Sequence, residues 1–401
     1  MGRLVFVTLI STVAEGVLER LWPALRGGWR RWLLRGLIGL AVGAWVLPLL
    51  LGKQWSADVL GVGVPLKLFA SAWLVAGILI VLVGLPIVLL SGRAASRRAA
   101  SNEQGGEWSP PEGVDMGRRN LLGHLGRAVP VAAMATGVAG VVNGSQGFTV
   151  RREQVRLRNL PKALEGFTIG QITDVHVGSF IDADYVRRAV AAMNEAKVDL
   201  QVMTGDLIDD LTQFDDTLAA LSTCSAPHGM LSILGNHEHW RGLPDILAGY
   251  RQLAATGAKV TLLVDEAHVL MHGEQKVRVV GVDYPILNKF SNQGKDVKMR
   301  QSADLAFEGA QADEFVMCLA HHPDFFPIAS EKGARLTLSG HTHGGQVALF
   351  GVPVFGFVFK HMLGRYKRGD NHLYVSGGTG HWLPFRVGVP AEVTILTLRA
   401  A

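Results

Sequence analysis

Two kinds of hydrophobic pattern divide this chain. Up to about residue 145 the apolar positions run on for long stretches. Beyond that point they come in short bursts separated by polar turns. Residues 32 to 51 (WLLRGLIGLAVGAWVLPLLL) are interrupted only by Arg35, and residues 68 to 91 (LFASAWLVAGILIVLVGLPIVLLS) carry no charge. A helix needs about 20 apolar residues to span a bilayer, so each stretch predicts a transmembrane helix. A third hydrophobic segment, 128 to 146, opens with AVPVAAMATGVAGVV and is shorter and richer in Ala and Gly. Residues 4 to 24 are apolar but include Glu15 and Glu19, which favours an amphipathic helix at the membrane surface over a further span.

From residue 147 the bursts predict strands at 166–173, 199–204, 229–234, 259–264, 267–272, 276–282, 314–320, 335–339, 372–376 and 391–398. Helices are predicted at 182–196, where Asp182 serves as N-cap, and at 243–255 and 323–331. The order is β-α-β early and more purely β late, which fits two packed mixed sheets flanked by helices. The expected organisation is therefore a membrane region (1–92), a Gly/Pro/Ser-rich cytoplasmic linker (93–127), the third hydrophobic segment (128–146) and an α/β domain (147–401).

Charge adds an orientation. Arg26, Arg30, Arg31 and Arg35 precede or open the first span, and Arg93, Arg97 and Arg98 follow the second. The loop between them carries only Lys53, Asp58 and Lys67. The positive-inside rule then places the N-terminus and the linker in the cytoplasm. Arg118-Arg119-Asn120-Leu121-Leu122, just before the third segment, resembles a twin-arginine export signal set at an internal position. If the third segment crosses, the α/β domain lies outside the cytoplasm; if it packs in a core or on the surface, the domain stays inside. The basic residues on its N-terminal side favour crossing. Mean hydropathy of +0.24 agrees with a membrane protein. The formal charge of +5 does not indicate nucleic acid, because much of the Lys/Arg surplus flanks the hydrophobic segments and no basic-aromatic cluster accompanies it. Cys224 and Cys318 belong to no CxxC, which excludes a zinc ribbon or a redox pair of that type.

The chemistry lies in five polar blocks: Asp174-Val175-His176, Gly205-Asp206, Gly235-Asn236-His237-Glu238, His321-His322-Pro323 and Gly340-His341-Thr342-His343. Most of them follow an apolar run (FTIGQI, DLQVM, MLSIL, FVMCLA, RLTLS), so ligands would converge on one rim of a sheet. Such a set of carboxylate, imidazole and amide groups suits a pair of divalent metals. Asp174 and His176 are two apart, and on a regular strand both side chains would point to one side.

These blocks, in this order, resemble the calcineurin-like metallophosphoesterase superfamily, and more closely its bacterial membrane-associated branch. Gly364-Arg365-Tyr366, Leu373 to Gly380 and Pro384-Phe385-Arg386 extend the likeness over about residues 147 to 401. The resemblance implies a four-layered α/β/β/α sandwich and two metal ions, with manganese, iron or zinc as candidates. It implies that Asp174, His176 and His343 bind the first metal, that Asp206 bridges, and that Asn236, His321 and His341 bind the second. Within His321-His322-Pro323 the family pattern favours His321 as the ligand. His237 becomes the general acid, with Glu238 as its orienting carboxylate and Asp209 as a further carboxylate behind the ligands. His381 and Arg386 become candidates to touch substrate. The reaction implied is hydrolysis of a phosphomonoester or phosphodiester by a metal-activated hydroxide.

The apolar segment Val347 to Leu363 directly follows the last block. A buried hairpin accounts for it, and so does an acyl-binding or membrane-contacting lip. The second reading predicts membrane lipids or a lipid-linked phosphoester as the partner, for a multi-pass protein of the bacterial inner membrane. Alternatives are a UDP-diacylglucosamine diphosphate hydrolase of lipid A synthesis, known among membrane-associated relatives, a nucleotide phosphodiesterase, or a catalytically silent membrane scaffold.

Overall fold

The computed structural model describes residues 2–51, 63–90, 116–145, 147–286, 294–349, 351–354, 356–381 and 383–401. The chain divides into two compact units, Met1–Ser145 and Gln146–Ala401.

The first unit is helical: α1 (Gly2–Leu21), α2 (Gly28–Leu51), α3 (Gly63–Leu79, followed by a wider turn at Ile80–Gly84) and α4 (Met116–Ser145). Its core mixes small and large side chains, among them Ala14, Val17, Ile38, Ala41, Trp73, Ala76 and Ala133. Small residues let helices approach closely where lipid offers no hydrophobic drive. The two acids of α1 are matched by α2: Glu15 accepts from Arg35 at 2.6 Å, and Glu19 forms an ion pair with Arg31 at 2.9 Å. That pairing explains how an apolar helix carries two carboxylates.

Among the described residues, two helices are long and apolar enough to cross a membrane, Pro65–Leu90 and Gly126–Ser145. They correspond to the second expected span and to the third hydrophobic segment. The helix holding the expected span at 32–51 is not one of the two. Arg118 and Arg119 fall within α4, so the arginine pair and the third segment form one helix. Residues 93–115 of the linker, with Arg93, Arg97 and Arg98, lie outside the described residues.

The second unit has a mixed α/β fold with two six-stranded sheets. The first sheet has the order β1 (Phe148–Leu157), β14 (Ala391–Ala400), β2 (Thr168–Ile172), β3 (Leu200–Thr204), β4 (Met230–Ile233), β5 (Val260–Leu263). The second runs β12 (Gly364–Arg368), β13 (Asn371–Val375), β9 (Leu336–Ser339), β8 (Phe315–Leu319), β7 (Gln275–Gly281), β6 (Glu266–His272). β10 (Ala348–Leu349) and β11 (Val352–Pro353) form a separate two-stranded hairpin.

Strand alternation distributes the core. Leu200, Val202, Leu231 and Ile233 of the first sheet share one cluster with Val277, Val279, Phe315, Met317, Leu336 and Leu338 of the second. The opposite faces carry Met203, Met230 and Ile395, packed with α5 (Ala183–Glu195), α6 (Phe214–Leu221) and α8 (Leu243–Ala255). On the second sheet Val280, Val316 and Cys318 pack with α9 (Lys295–Ala306) and α10 (Phe326–Glu331). Strands buried on both faces read as continuous apolar runs. Each fully buried Val or Leu contributes about 1.5–3 kcal/mol.

Several elements depart from the sequence reading. β1 was not expected, because it is an edge strand with mostly exposed, charged side chains. β12, α6 and α9 were also unforeseen; α9 is polar on most of its surface, and β12 reads as a loop rich in Lys and Arg.

Candidate metal centre

β2, β3 and β4 are parallel, as are β8 and β9. All five end at the polar blocks, which is where open α/β sheets place their binding crevices. Asp174 and His176 lie beyond the end of β2, and their placement corrects the regular-strand expectation. Both have left-handed backbone, φ 52° and 57°, as do Asp206, His341 and His343. Left-handed conformations at non-glycine residues are costly and concentrate at functional sites. Here hydrogen bonds between the loops hold them: Asp174 N donates to Gly205 O and His176 N to Asp206 O.

The glycines beside these residues are required by space. Gly205 has φ +89°, and a side chain there would meet His321. Gly235 and Gly340 leave room for the carboxylates of Asp206 and Asp174, which a Cβ at either position would strike.

Three ligand-type groups draw together on each side of a shared nest. Asp174, His176 and His343 form one, with His176 Nε2 3.1 Å from His343 Nε2 and His343 Nε2 3.4 Å from Asp174 Oδ1. Asp206, His321 and His341 form the other, with His321 Nε2 3.2 Å from both Asp206 Oδ2 and His341 Nδ1. The Asp206 carboxylate also faces the first group, at 3.8 Å from His176 Nε2. His321 Nδ1–H donates to Thr204 O at 2.8 Å, which leaves Nε2 as the free lone pair.

A buried set of oxygen and imidazole donors suits a divalent cation, and one observation tests that fit. Asn236 Oδ1 is buried and, among the described residues, accepts no hydrogen bond. An orphaned acceptor beside carboxylates calls for a cation. The His and Asp side chains are thus positioned for a metal site.

Electrostatics agree. Burial pushes the Asp174 carboxyl up, and the nearby Asp206 adds to it. Against burial, His321 holds Asp206 well below the usual carboxylate range. Burial opposes protonation of His321, but Asp206 and then Asp174 outweigh it and raise the imidazole to about 10. His341 and His343 are held well below the ordinary value, by burial first and then by His321 and His176 respectively.

His322 is separate from the ligands, as favoured. Its Nδ1 accepts from Asp324 N at 3.1 Å, its Nε2 lies 3.1 Å from Lys295 Nζ, and burial with Lys295 lowers it to about 3.

The carboxylates behind the nest exchange roles relative to expectation. Glu238 does not orient His237. From the third position of α7 (Asn236–Arg241) it reaches back, as in a capping box, to accept from Gly235 N at 2.7 Å. It also accepts from Asp206 N at 3.0 Å and Leu207 N at 2.7 Å, so it clamps the loop that carries Asp206. The longer Glu side chain makes that reach. Asp209 is the partner of His237, through Nδ1, and its second oxygen lies 3.4 Å from His176 Nδ1. Burial opposes ionisation of Asp209, but the neighbouring His176 and His237 rings hold its carboxyl far below the usual range. Arg241 closes the group at 3.0 Å from Asp209 Oδ1.

Arg386 is also corrected. It is 1% exposed and is consumed internally, donating to Gly377 O at 2.9 Å and Val389 O at 3.1 Å, with Nη2 3.5 Å from His343 Nδ1. Its fork supports the loop behind His343. His381 is buried, its ring 6.0 Å from that of Phe180; it belongs to neither ligand group.

Residues missed in sequence are aromatic. Trp240 lies 4.9 Å from the His237 ring, Tyr284 5.6 Å from His341 and Phe359 5.7 Å from His341. Trp240 and Tyr284 each stand within a few residues of a strand end or a block, the signal that would have found them.

Residues 167–345 match the profile of calcineurin-like phosphoesterases, a span that contains all seven ligand-type residues. The chain carries a calcineurin-like phosphoesterase domain. The chain is 28% identical over 297 residues to the uncharacterized metallophosphoesterase YkuE of Bacillus subtilis (strain 168), covering 71% of this chain and 98% of that protein. It is 29% identical over 254 residues to an uncharacterized metallophosphoesterase of Helicobacter pylori (strain J99 / ATCC 700824), covering 62% and 63%. A transmembrane protein with metallophosphoesterase domain from Danio rerio is 25% identical over 276 residues, covering 66% and 60%. The chain thus spans less than two thirds of the length of the last two.

Proposed function

We propose that this chain is a membrane-anchored, dinuclear-metal phosphoesterase that hydrolyses phosphomonoester or phosphodiester bonds of lipid-linked substrates. The observation that carries the reading is the pair of adjacent ligand groups, with the Asp206 carboxylate of one lying 3.8 Å from His176 Nε2 of the other and Asn236 Oδ1 left as an open acceptor. Asp174, His176 and His343 would hold one cation, Asn236, His321 and His341 the other, and Asp206 both. Divalent cations in such a nest supply Lewis acidity and a water that ionises near neutral pH. Manganese, iron and zinc all suit oxygen and nitrogen donors without thiolate.

The chain's own residues do the rest. His237 Nε2 is 4.0 Å from Asp206 Oδ2, so its outer nitrogen is turned to the nest while Nδ1 is held by Asp209. From there it donates a proton to the departing oxygen. Trp240 and Tyr284 pack their rings against those of His237 and His341. The sheets and their outer helices support the four-layered α/β/β/α arrangement that the resemblance implies.

Membrane anchoring draws support from Pro65–Leu90 and Gly126–Ser145, and from relatives named as transmembrane proteins. If residues 32–51 form a further span, the positive-inside rule favours a phosphoesterase domain outside the cytoplasm of a bacterial inner membrane. That side disfavours the cytoplasmic UDP-diacylglucosamine reaction. The complete ligand set disfavours a silent scaffold.

The test uses full-length protein in detergent, stripped of metal and reloaded with manganese, iron or zinc. Metal content should approach two per chain, and p-nitrophenyl phosphate or its bis-ester should be hydrolysed only after loading. Folded protein that takes up no metal and cleaves neither ester would overturn the reading. Turnover of lipid phosphates then separates the lipid substrate from a soluble one.

A further inference from the structure

The segment from Val347 to Arg368 contains no acidic residue and four basic ones, Lys360, Arg365, Lys367 and Arg368. Its apolar part is turned to solvent and is not the buried hairpin that composition allows. Val352 is 68% exposed, Val358 57% and Phe357 85%. Phe355, which stands among them, lies outside the described residues. At the base of the segment the Phe359 ring packs 5.9 Å from His322 and 5.7 Å from His341. One short stretch therefore runs from the wall of the candidate centre to an exposed apolar tip.

We propose that the tip Val352–Val358 docks into the interface of an anionic bilayer, with the basic residues that follow it meeting lipid phosphates. The inference rests on the membrane-anchored reading. Three observations favour a bilayer as the occupant. The charge is of one sign and complements an anionic surface. The side chains are Phe and Val, which enter the acyl boundary at low cost. A handful of such side chains offers less area than the about 800 Å² per partner of a stable protein interface. Arg365 lies 3.7 Å from Glu153 and donates to Gln154 O at 3.1 Å, and Arg368 lies 3.1 Å from Glu331; both guanidinium groups are about half exposed, and such surface pairs are weak enough for lipid phosphate to compete.

The test uses the full chain in lipid nanodiscs. Both native cysteines are buried, so a Phe357→Cys variant can be labelled selectively with an environment-sensitive fluorophore. Met271→Cys is the reference, since Met271 is 51% exposed on β6, at the opposite edge of the second sheet from β12. The expected result is quenching of the label at 357 by nitroxide-bearing lipids, several-fold stronger than at 271. It should rise with anionic lipid and fall when Lys360 and Lys367 become Gln. A label at 357 that answers aqueous quencher as freely as the one at 271 overturns the proposal. Quenching that instead depends on protein concentration in lipid-free detergent assigns the tip to a second copy and also overturns it. Protein that fails to stay in the nanodisc would defeat the anchoring itself, a distinct outcome, and would remove the inference with it.

Discussion

Two buried acidic clusters in the same domain have opposite fates. Glu392 on β14 is 2% exposed, and its Oε1 accepts from Tyr374 Oη at 2.9 Å, Ser376 Oγ at 3.0 Å, Gly377 N at 3.1 Å and Thr394 Oγ1 at 3.2 Å. Its other oxygen lies 3.5 Å from Arg151. That carboxylate is saturated by the protein. Asp174 and Asp206 are as deeply buried and also accept backbone hydrogen bonds, from His341 N and His237 N, but they sit among imidazoles, and the neighbouring Asn236 oxygen is left over. Burial of charge therefore does not mark a functional site by itself. What marks it is an acceptor set that the chain's own donors leave open.

Breaking the open cluster should cost the most. Asp206→Asn is expected to lower metal-dependent hydrolysis by at least about 10³-fold, since losing a shared metal ligand forfeits several kcal/mol of charge stabilisation. Metal content should fall in the same sample, and an unchanged content would remove Asp206 from the centre. His237→Ala should lower kcat by about 10²–10⁴-fold while leaving metal content intact. Loss of metal instead would make it a ligand.

The saturated cluster should answer in stability alone. Glu392→Ala strands several buried donors and is expected to cost about 3 kcal/mol in denaturant unfolding without changing metal content. If metal binding fell instead, the contrast between the clusters would fail. Arg386→Lys should cost about 1–2 kcal/mol, because an ammonium cannot reproduce the guanidinium fork. A substrate contact would instead raise KM with stability unchanged.

A pH experiment sharpens the contrast least in magnitude but most in kind. In the metal-free fold His321 is raised from 6.5 to about 10. Its proton therefore adds stability that is fully present below about pH 6.5 and lost as pH rises through about 10. A cation needs the neutral ring. Its affinity should climb by about tenfold per pH unit over that window for this one displaced proton. Calorimetry in buffers of different ionisation enthalpy would count the protons released, and a pH-independent affinity would exclude His321 as a ligand.

Much of this site was legible because ligand chemistry is written in residue types. Asp206, His321 and His343 are few among apolar runs, and each run ends at a block. What stayed hidden depended on geometry. Nothing in Asp174-Val175-His176 announces a left-handed backbone. Glu238 adjoins His237 in sequence and Asp209 stands 28 positions away, and only the turn of α7 decides that the distant carboxylate is the one that reaches it. Arg386 looked like a hand for phosphate because burial of a guanidinium among backbone carbonyls has no local signature. β1 escaped for the opposite reason: an edge strand with one sparsely buried face has no apolar period to read. β12 shares that fate.

That same β1 has a consequence for how the protein comes into being. It pairs in parallel with β14, Phe148 opposite Ala391 and onward to Leu157 opposite Ala400. β14 in turn is the strand that joins β1 to β2. The first strand translated in the domain thus waits for the last, with Thr149 and Ala391 bonded across 242 positions. Until the ribosome has delivered the final strand, the first sheet lacks the strand that would stand between β1 and β2. Pairings this remote make folding slow and leave open strands exposed in the meantime. The nascent domain is therefore a late folder, and loss of even its last ten residues would leave β1 with nothing to join.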